Sequence, residues 1–404
     1  MILNINKRKQ KEKKDMDSYF PAKEEIEEED EKRLAHQPVQ NLQMYKMYKE
    51  LEASFWTDED IDKDCEKDAF DREKASEGER RLFDYVQGFF AVSDFVVGDI
   101  IGEKLGGRIK NTDVRLVYSF ISMMENIHMI TYSKVIEKAV KNTKERQDIL
   151  NSAARIPTIQ RKLSWIQKWA GMDNDIHNLE RESIVALFEL VDRNNRFLEA
   201  MYPNSDISKY KSKEILALEE KLKEKIPSLD RLLVVLALTE AIFFSSSFAV
   251  IFWFAQKNVF PGAAKANQLI KNDEGKHVEN GALIHRTLIR NKLPQDLVYE
   301  MVKEAVEIET AFMEDAMPEG LRGMNSKLMT RYIKYSADWM LDMFGYEKLY
   351  GVLSQDCFDF MVKQSITDTF TDFFKGEEVN YKIHGENETH LDKKVVFQED
   401  LDEI

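Results

Sequence analysis

Cysteine is nearly missing from this 404-residue sequence: Cys65 and Cys357 stand alone, too few for a disulfide framework or a thiolate metal site. No secretory leader is expected at the start, so the sequence reads as a protein of a reducing, cytoplasmic compartment. Proline and glycine are also scarce, 8 and 16 residues, and no glycine-rich loop of the kind that cradles phosphate occurs. Few turns and long stretches of Lys, Glu, Leu and Ala favour helices over closely turned strands. Positive charge is in deficit, with 58 Lys and Arg against 73 Asp and Glu and a formal charge of −15. Direct nucleic-acid binding, which draws on basic residues replacing counterions, is thereby excluded as an expectation.

Membrane spans are equally sparse. Leu232 to Ala255 runs 24 residues with one ionisable side chain, Glu240, long enough to cross a bilayer. A lone carboxylate at mid-membrane is costly, and a central bundle helix that is apolar all round gives the same pattern. The expectation is an all-α bundle with no membrane partner.

What is there begins with two polar ends. Residues 1–37 hold a basic run, Lys7 to Lys14, and an acidic run, Glu24 to Glu31, and read as a disordered arm. Residues 376–404 are charged but finish in Val395, Val396, Phe397, Leu401 and Ile404, a pattern suited to docking in a partner's groove. Between them, helices are expected near 79–105, 113–141, 144–170, 230–258, 263–290, 295–315 and 326–350.

Two of the seven histidines have Glu three residues before them: Glu125/His128 and Glu274/His277. That spacing puts both side chains on one helical face. The face Val114, Val117, Ile121, Glu125, His128, Tyr132, Val135 is otherwise apolar, as is Ile270, Glu274, His277, Gly281, Ile284. Asp94 lies in a stripe with Phe83, Val86, Phe90, Val97 and Ile101, and Glu240 in one with Leu233, Ala237, Phe244 and Phe248. Burying such groups costs several kcal/mol unless something pairs with them. Any one of them is equally well a satisfied core polar group; six on four stripes are not so easily shared out. Four carboxylates and two imidazoles neutralise two divalent cations and suit iron or manganese. Ferritin-like di-iron proteins use the same scheme, one acid from each of two helices and Glu-x-x-His from each of two others.

The segments Ala53-Ser54-Phe55-Trp56-Thr57, Met124-Glu125-Asn126-Ile127-His128, Glu240-Ala241-Ile242-Phe243-Phe244-Ser245 and Asp273-Glu274-Gly275-Lys276-His277 resemble the small subunits of class I ribonucleotide reductases. The resemblance runs from about residue 38 to 381. It implies a ferritin-like domain over 38–375 and a ligand set of Asp94, Glu125, His128, Glu240, Glu274 and His277. These would hold an oxo-bridged pair of iron ions, with manganese as the alternative. It implies that O2 activation there oxidises Tyr132 to a stored radical, with Phe244, Phe248 and Ile270 as an apolar pocket. Asp273 resembles the residue linking His128 to Trp56, and Tyr381, seven residues after Phe374, the tyrosine that continues the path. The implied partners are a large subunit, docked by the C-terminal tail, and a second copy in a homodimer.

One departure is large. Where the family has a short connection, about sixty residues separate the Trp165/Trp169 helix from the Glu240 helix, including helical patterns at 180–202 and 212–225; surface decoration is the expectation for this insertion, about 173–229. A di-metal (Mn/Fe) oxidase of the same fold, or an iron store, is the alternative function.

Overall fold

The computed structural model describes residues 24–27, 39–172, 181–203, 205–218 and 227–358. Helices α1 (Leu42–Ala53), α2 (Asp68–Lys74), α3 (Glu77–Asp99) and α4 (Thr112–Ala139) come first, followed by the short α5 (Thr143–Leu150) and α6 (Ser152–Arg155). Then come α7 (Pro157–Trp169), α8 (Arg181–Met201), α9 (Leu229–Leu238), α10 (Ser245–Gln256), α11 (Pro261–Thr287), α12 (Gln295–Ala316) and α13 (Ser326–Phe344). Among the described residues there is no strand, only an isolated bridge between Leu321 and Met324. The all-α, ferritin-like expectation holds.

Local chemistry starts these helices. Ser76 and Glu79 form a reciprocal capping box at α3, Asn111 accepts from the Asp113 and Val114 amides at α4, and Asn325 accepts from Leu328 N at α13. The start of α11 is held from a distance: the Asp68 carboxylate accepts from Gly262 N and Ala263 N at 2.9 and 2.8 Å. The chain there comes so close that a Cβ on Gly262 would stand 2.5 Å from the Cys65 backbone, which is why glycine occupies that position.

Two helical rods are longer than their α-labels suggest, because each includes a π turn. Ile100–Leu105 prolongs α3, and Thr239–Phe243 joins α9 to α10. Leu229–Gln256 is apolar and long enough to cross a membrane, yet its apolar window is wholly buried within the protein, as a central bundle helix requires. Glu77–Leu105 passes the same length and composition test with 61% of its window buried, a second such segment beyond the one expected.

Three expectations are corrected. The single helix near 144–170 is three, α5, α6 and α7, with breaks at Asn151 and Ile156; at the second, Pro157 lacks an amide and starts a new helix at its first position. The helix near 326–350 stops at Phe344, where Gly345 takes the left-handed conformation with φ 84°. Within the arm expected to be disordered, Glu24–Glu27 is docked: Ile26 is buried, its carbonyl accepts from Lys110 N and Asn111 N at 2.7 and 3.2 Å, and the Glu24 carboxylate accepts from Arg290 N and Asn291 N. The rest of that arm, the tail from 359 onward with Tyr381, and residues 173–180, 204 and 219–226 of the insertion lie outside the described residues.

Candidate metal centre

The four chemistry-bearing stripes converge. Asp94 comes from α3, Glu125 and His128 from α4, Glu240 from the π turn, and Glu274 and His277 from α11, each at most 5% exposed. His128 Nδ1 lies 3.2 Å from Glu274 Oε1 and 3.6 Å from Glu125 Oε2. His277 Nδ1 lies 3.0 Å from Glu274 Oε2, 3.0 Å from Glu125 Oε1 and 3.7 Å from Glu240 Oε1. Glu125 and Glu274 therefore face both imidazoles, one oxygen toward each. The donor atoms fall into two overlapping groups, Glu125, Glu240, Glu274 and His277 on one side and Asp94, Glu125 and His128 on the other.

Taken by themselves the six side chains compete for protons. Burial and the charges of Glu125 and Glu274 push Asp94 well above the ordinary carboxylate range, and burial pushes Glu240 up to about 8 despite His277 beside it. Burial would also raise Glu125, but the two imidazoles that face it outweigh burial and hold that carboxyl at about 2. Burial would lower both histidines; their carboxylate partners instead raise them well above the usual imidazole value.

The donor set fits cations better than it fits protons. Asp94 Oδ2, both Glu125 oxygens, Glu274 Oε1 and His128 Nδ1 are buried without a hydrogen-bond partner, a costly arrangement for a protein interior. Hard oxygens with two imidazoles are the ligand chemistry of iron and manganese, and two divalent ions match the four carboxylate charges.

Around this cluster, His128 Nε2 donates to Asp273 Oδ2 at 3.2 Å, and Trp56 Nε1 donates to the same oxygen at 2.6 Å. The Trp56 and His128 rings also stack at 5.7 Å. Asp273 is thus the expected link between tryptophan and histidine, and it orients the imidazole so that Nδ1 faces inward. His277 Nε2 has no such outer partner. Tyr132, one turn beyond His128, is 0% exposed. Its hydroxyl lies 3.5 Å from Asn267 Oδ1, and its ring lies parallel to Phe90 at 4.5 Å. Phe244 and Phe248 pack on Phe90 at 5.8 and 5.2 Å, and Ile270 is fully buried. Burial and the negative charges of Asp94, Glu274 and Glu125 push the Tyr132 phenol well above its ordinary pKa.

A family model described as ribonucleotide reductase, small chain matches residues 33–356. The chain belongs to this family. The ribonucleoside-diphosphate reductase small chain of Trypanosoma brucei brucei is 33% identical over 365 residues, 90% of this chain and 91% of that one. The small chain of Plasmodium falciparum is 30% identical over 389 residues, 95% of each. Among solved structures, the Rnr4 homodimer of Saccharomyces cerevisiae aligns with TM-score 0.62 and 25% identity, covering 87% of this chain and 94% of that one. The dimanganese(II)-NrdF of Streptococcus sanguinis shares the fold, with TM-score 0.60 and 17% identity over 83% of this chain and 100% of its own.

In this small chain, three residues at or near the site were not expected from the sequence. Asn267, facing Tyr132, lies three residues before Ile270 on the same face of α11; a polar side chain on that stripe was the available signal. Lys162 and Glu309 form a fully buried ion pair of 2.7 Å. Lys162 stands between Ile159 and Trp165 on an apolar face, which was the only local hint.

Proposed function

We propose that this small chain holds two iron ions in the Asp94, Glu125, His128, Glu240, Glu274, His277 cluster and stores a radical on Tyr132 for ribonucleotide reduction by a large subunit. The observation that carries the reading is Tyr132 itself, fully enclosed one turn from His128 and within the field of three cluster carboxylates. Two bound iron ions would supply, through reaction with O2, the oxidising equivalent that removes an electron from the phenol.

The chain's residues govern the rest. A phenol held neutral by burial must give up its proton together with its electron, and Asn267 Oδ1 is the hydrogen-bond acceptor its hydroxyl faces. The Phe90 ring over its face, with Phe244 and Phe248 behind, keeps out water and reductants that would quench the stored radical. Asp273 couples Trp56 to His128 by two hydrogen bonds to one oxygen, so an electron moving through Trp56 can be matched by a proton shift toward Asp273. Trp56 is nearly buried while its neighbour Phe55 is 40% exposed, which places this line close beneath the surface. Tyr381 and the tail over 376–404 would extend it to the large subunit. Exposed Phe95 on α3 and Met123 and Ile130 on α4, two helices packed together, give an apolar face suited to a second copy.

The test is reconstitution of metal-free protein with Fe(II) and O2, read by EPR and optical absorption. A tyrosyl radical signal is expected, and Tyr132→Phe should abolish it with iron binding intact. Iron bound without any radical would turn the assignment toward an oxidase or an iron store.

A further inference from the structure

Lys162 and Glu309 have no place among the cluster residues, and both are 0% exposed. The ammonium is wedged between two rings, 3.7 Å from the Phe89 centroid and 3.5 Å from that of Phe312. Burial lowers the lysine to about 8 even with Glu309 against it. Such a pair is a poor source of stability, because replacing both partners by apolar residues is often neutral or stabilising. Its use is better sought in where its remaining atoms point.

They point at one place. Lys162 Nζ donates to the Phe243 carbonyl at 3.4 Å, and Glu309 accepts from the Ser246 hydroxyl. Phe243 is the last residue of the π turn and Ser246 lies in the first turn of α10, so the pair grips both sides of the turn's exit. A π turn adds a residue to the helical circuit, which rotates α9 relative to α10 and disturbs the regular carbonyl ladder. Here the Phe244 amide reaches back to Thr239 O at 3.2 Å, and the Ser245 hydroxyl donates to Ile242 O at 3.0 Å. Glu240 is the second residue of this turn and its only contribution to the cluster. Its direction therefore depends on the turn keeping its register.

The geometry points to Lys162 and Glu309 as positioning residues that lock the π turn and thereby aim Glu240 into the half of the centre it shares with His277. This assignment rests on the two-metal reading above. Only one of the two donor groups contains Glu240, so loosening the turn should weaken one cation and spare the other.

The experiment is Mn(II) titration of metal-free protein, with unbound ion counted by its EPR signal. Wild type should take up two equivalents per chain. In the Lys162→Met/Glu309→Leu double variant, whose apolar pair refills the space, one equivalent should bind as in wild type and the other about ten- to a hundredfold more weakly. Two unchanged equivalents would overturn the assignment, and so would two equally weakened ones, which would mark a general support of the bundle. Fewer than two in the wild type would remove the two-metal reading and this assignment with it. Ser246→Ala, which releases Glu309's grip without unpairing the charges, carries the same test if the double variant fails to fold; it should weaken the same single equivalent, and no change in it would overturn the assignment.

Discussion

Two arrangements of acid and histidine lie along the same pair of helical rods, and they end in opposite states. At one end, Asp230 of α9 and His285 of α11 make a closed pair: Oδ1 meets the imidazole at 2.5 Å, and Oδ2 accepts from Leu293 N at 2.7 Å. Farther along, Glu240 and His277 belong to a cluster in which five buried polar atoms of Asp94, Glu125, Glu274 and His128 have no hydrogen-bond partner. Both regions are buried, and both pair a carboxylate with an imidazole. Burial of an acid thus says little about metal binding; the surplus of oxygens over available donors says much more, because an interior tolerates such a surplus only where something else supplies positive charge.

The sharpest way to break this contrast is Glu274→Ala, since Glu274 faces both histidines. Tight Mn(II) uptake is expected to fall from two equivalents to less than one, measured by the same titration. Retention of both would mean the open cluster is not the binding site. Asp230→Ala should do the reverse, leaving metal uptake unchanged while His285 loses its partner, at a cost of about 3–5 kcal/mol read from denaturant unfolding. A loss of metal in that variant would show that the two regions are not independent.

The third prediction concerns pH. The folded carboxyl of Glu240 titrates at about 8, above its ordinary 4.5, so its contribution is fully present below pH 4.5 and is lost as pH rises through 8. The raised Asp94 and both raised histidines act in the same sense. Glu125, held at about 2, acts in the opposite sense only in acid. Metal-free protein should therefore lose stability between pH 6 and 9, by up to about 1.4 kcal/mol per pH unit for each group that keeps its proton only when folded. Metal-loaded protein, whose ligands have given up those protons, should not show this dependence. Calorimetry of the two forms across that range checks it; parallel curves would be the contrary result. The smallest effect is expected from Tyr132→Phe on stability, within about 1 kcal/mol of wild type, because its hydroxyl makes a single long contact of 3.5 Å. A larger loss by thermal unfolding would assign that hydroxyl a structural share.

Much of the site is legible in the sequence. Glu-x-x-His on an apolar stripe names two residues at once, and Asp94 and Glu240 stand out as ionisable groups within apolar faces. Asn267 is only half legible: a polar side chain on the Ile270 stripe marks the position, but one of several amides on α11 gives no sign of the tyrosine it faces on α4. The break at Pro157 has its chemistry in plain view, yet the apolar spacing on either side of it reads as one continuous helix. The docking of Glu24–Glu27 depends on backbone amides of Arg290 and Asn291 far along the chain, and a charged segment gives no notice of such partners.

The helical class, the largely apolar central rod and the chemical kind of the six cluster residues can be read from the residues alone, because period and residue type are local properties. Which buried acids are closed by a protein partner and which are left open emerges in the folded chain, since that depends on donors from other helices. The fold alone also disclosed the π turn that carries Glu240 and the meeting of Lys162 with Glu309 beneath it. A one-residue change of helical register leaves little trace in a largely apolar segment, and an ion pair between distant helices leaves none.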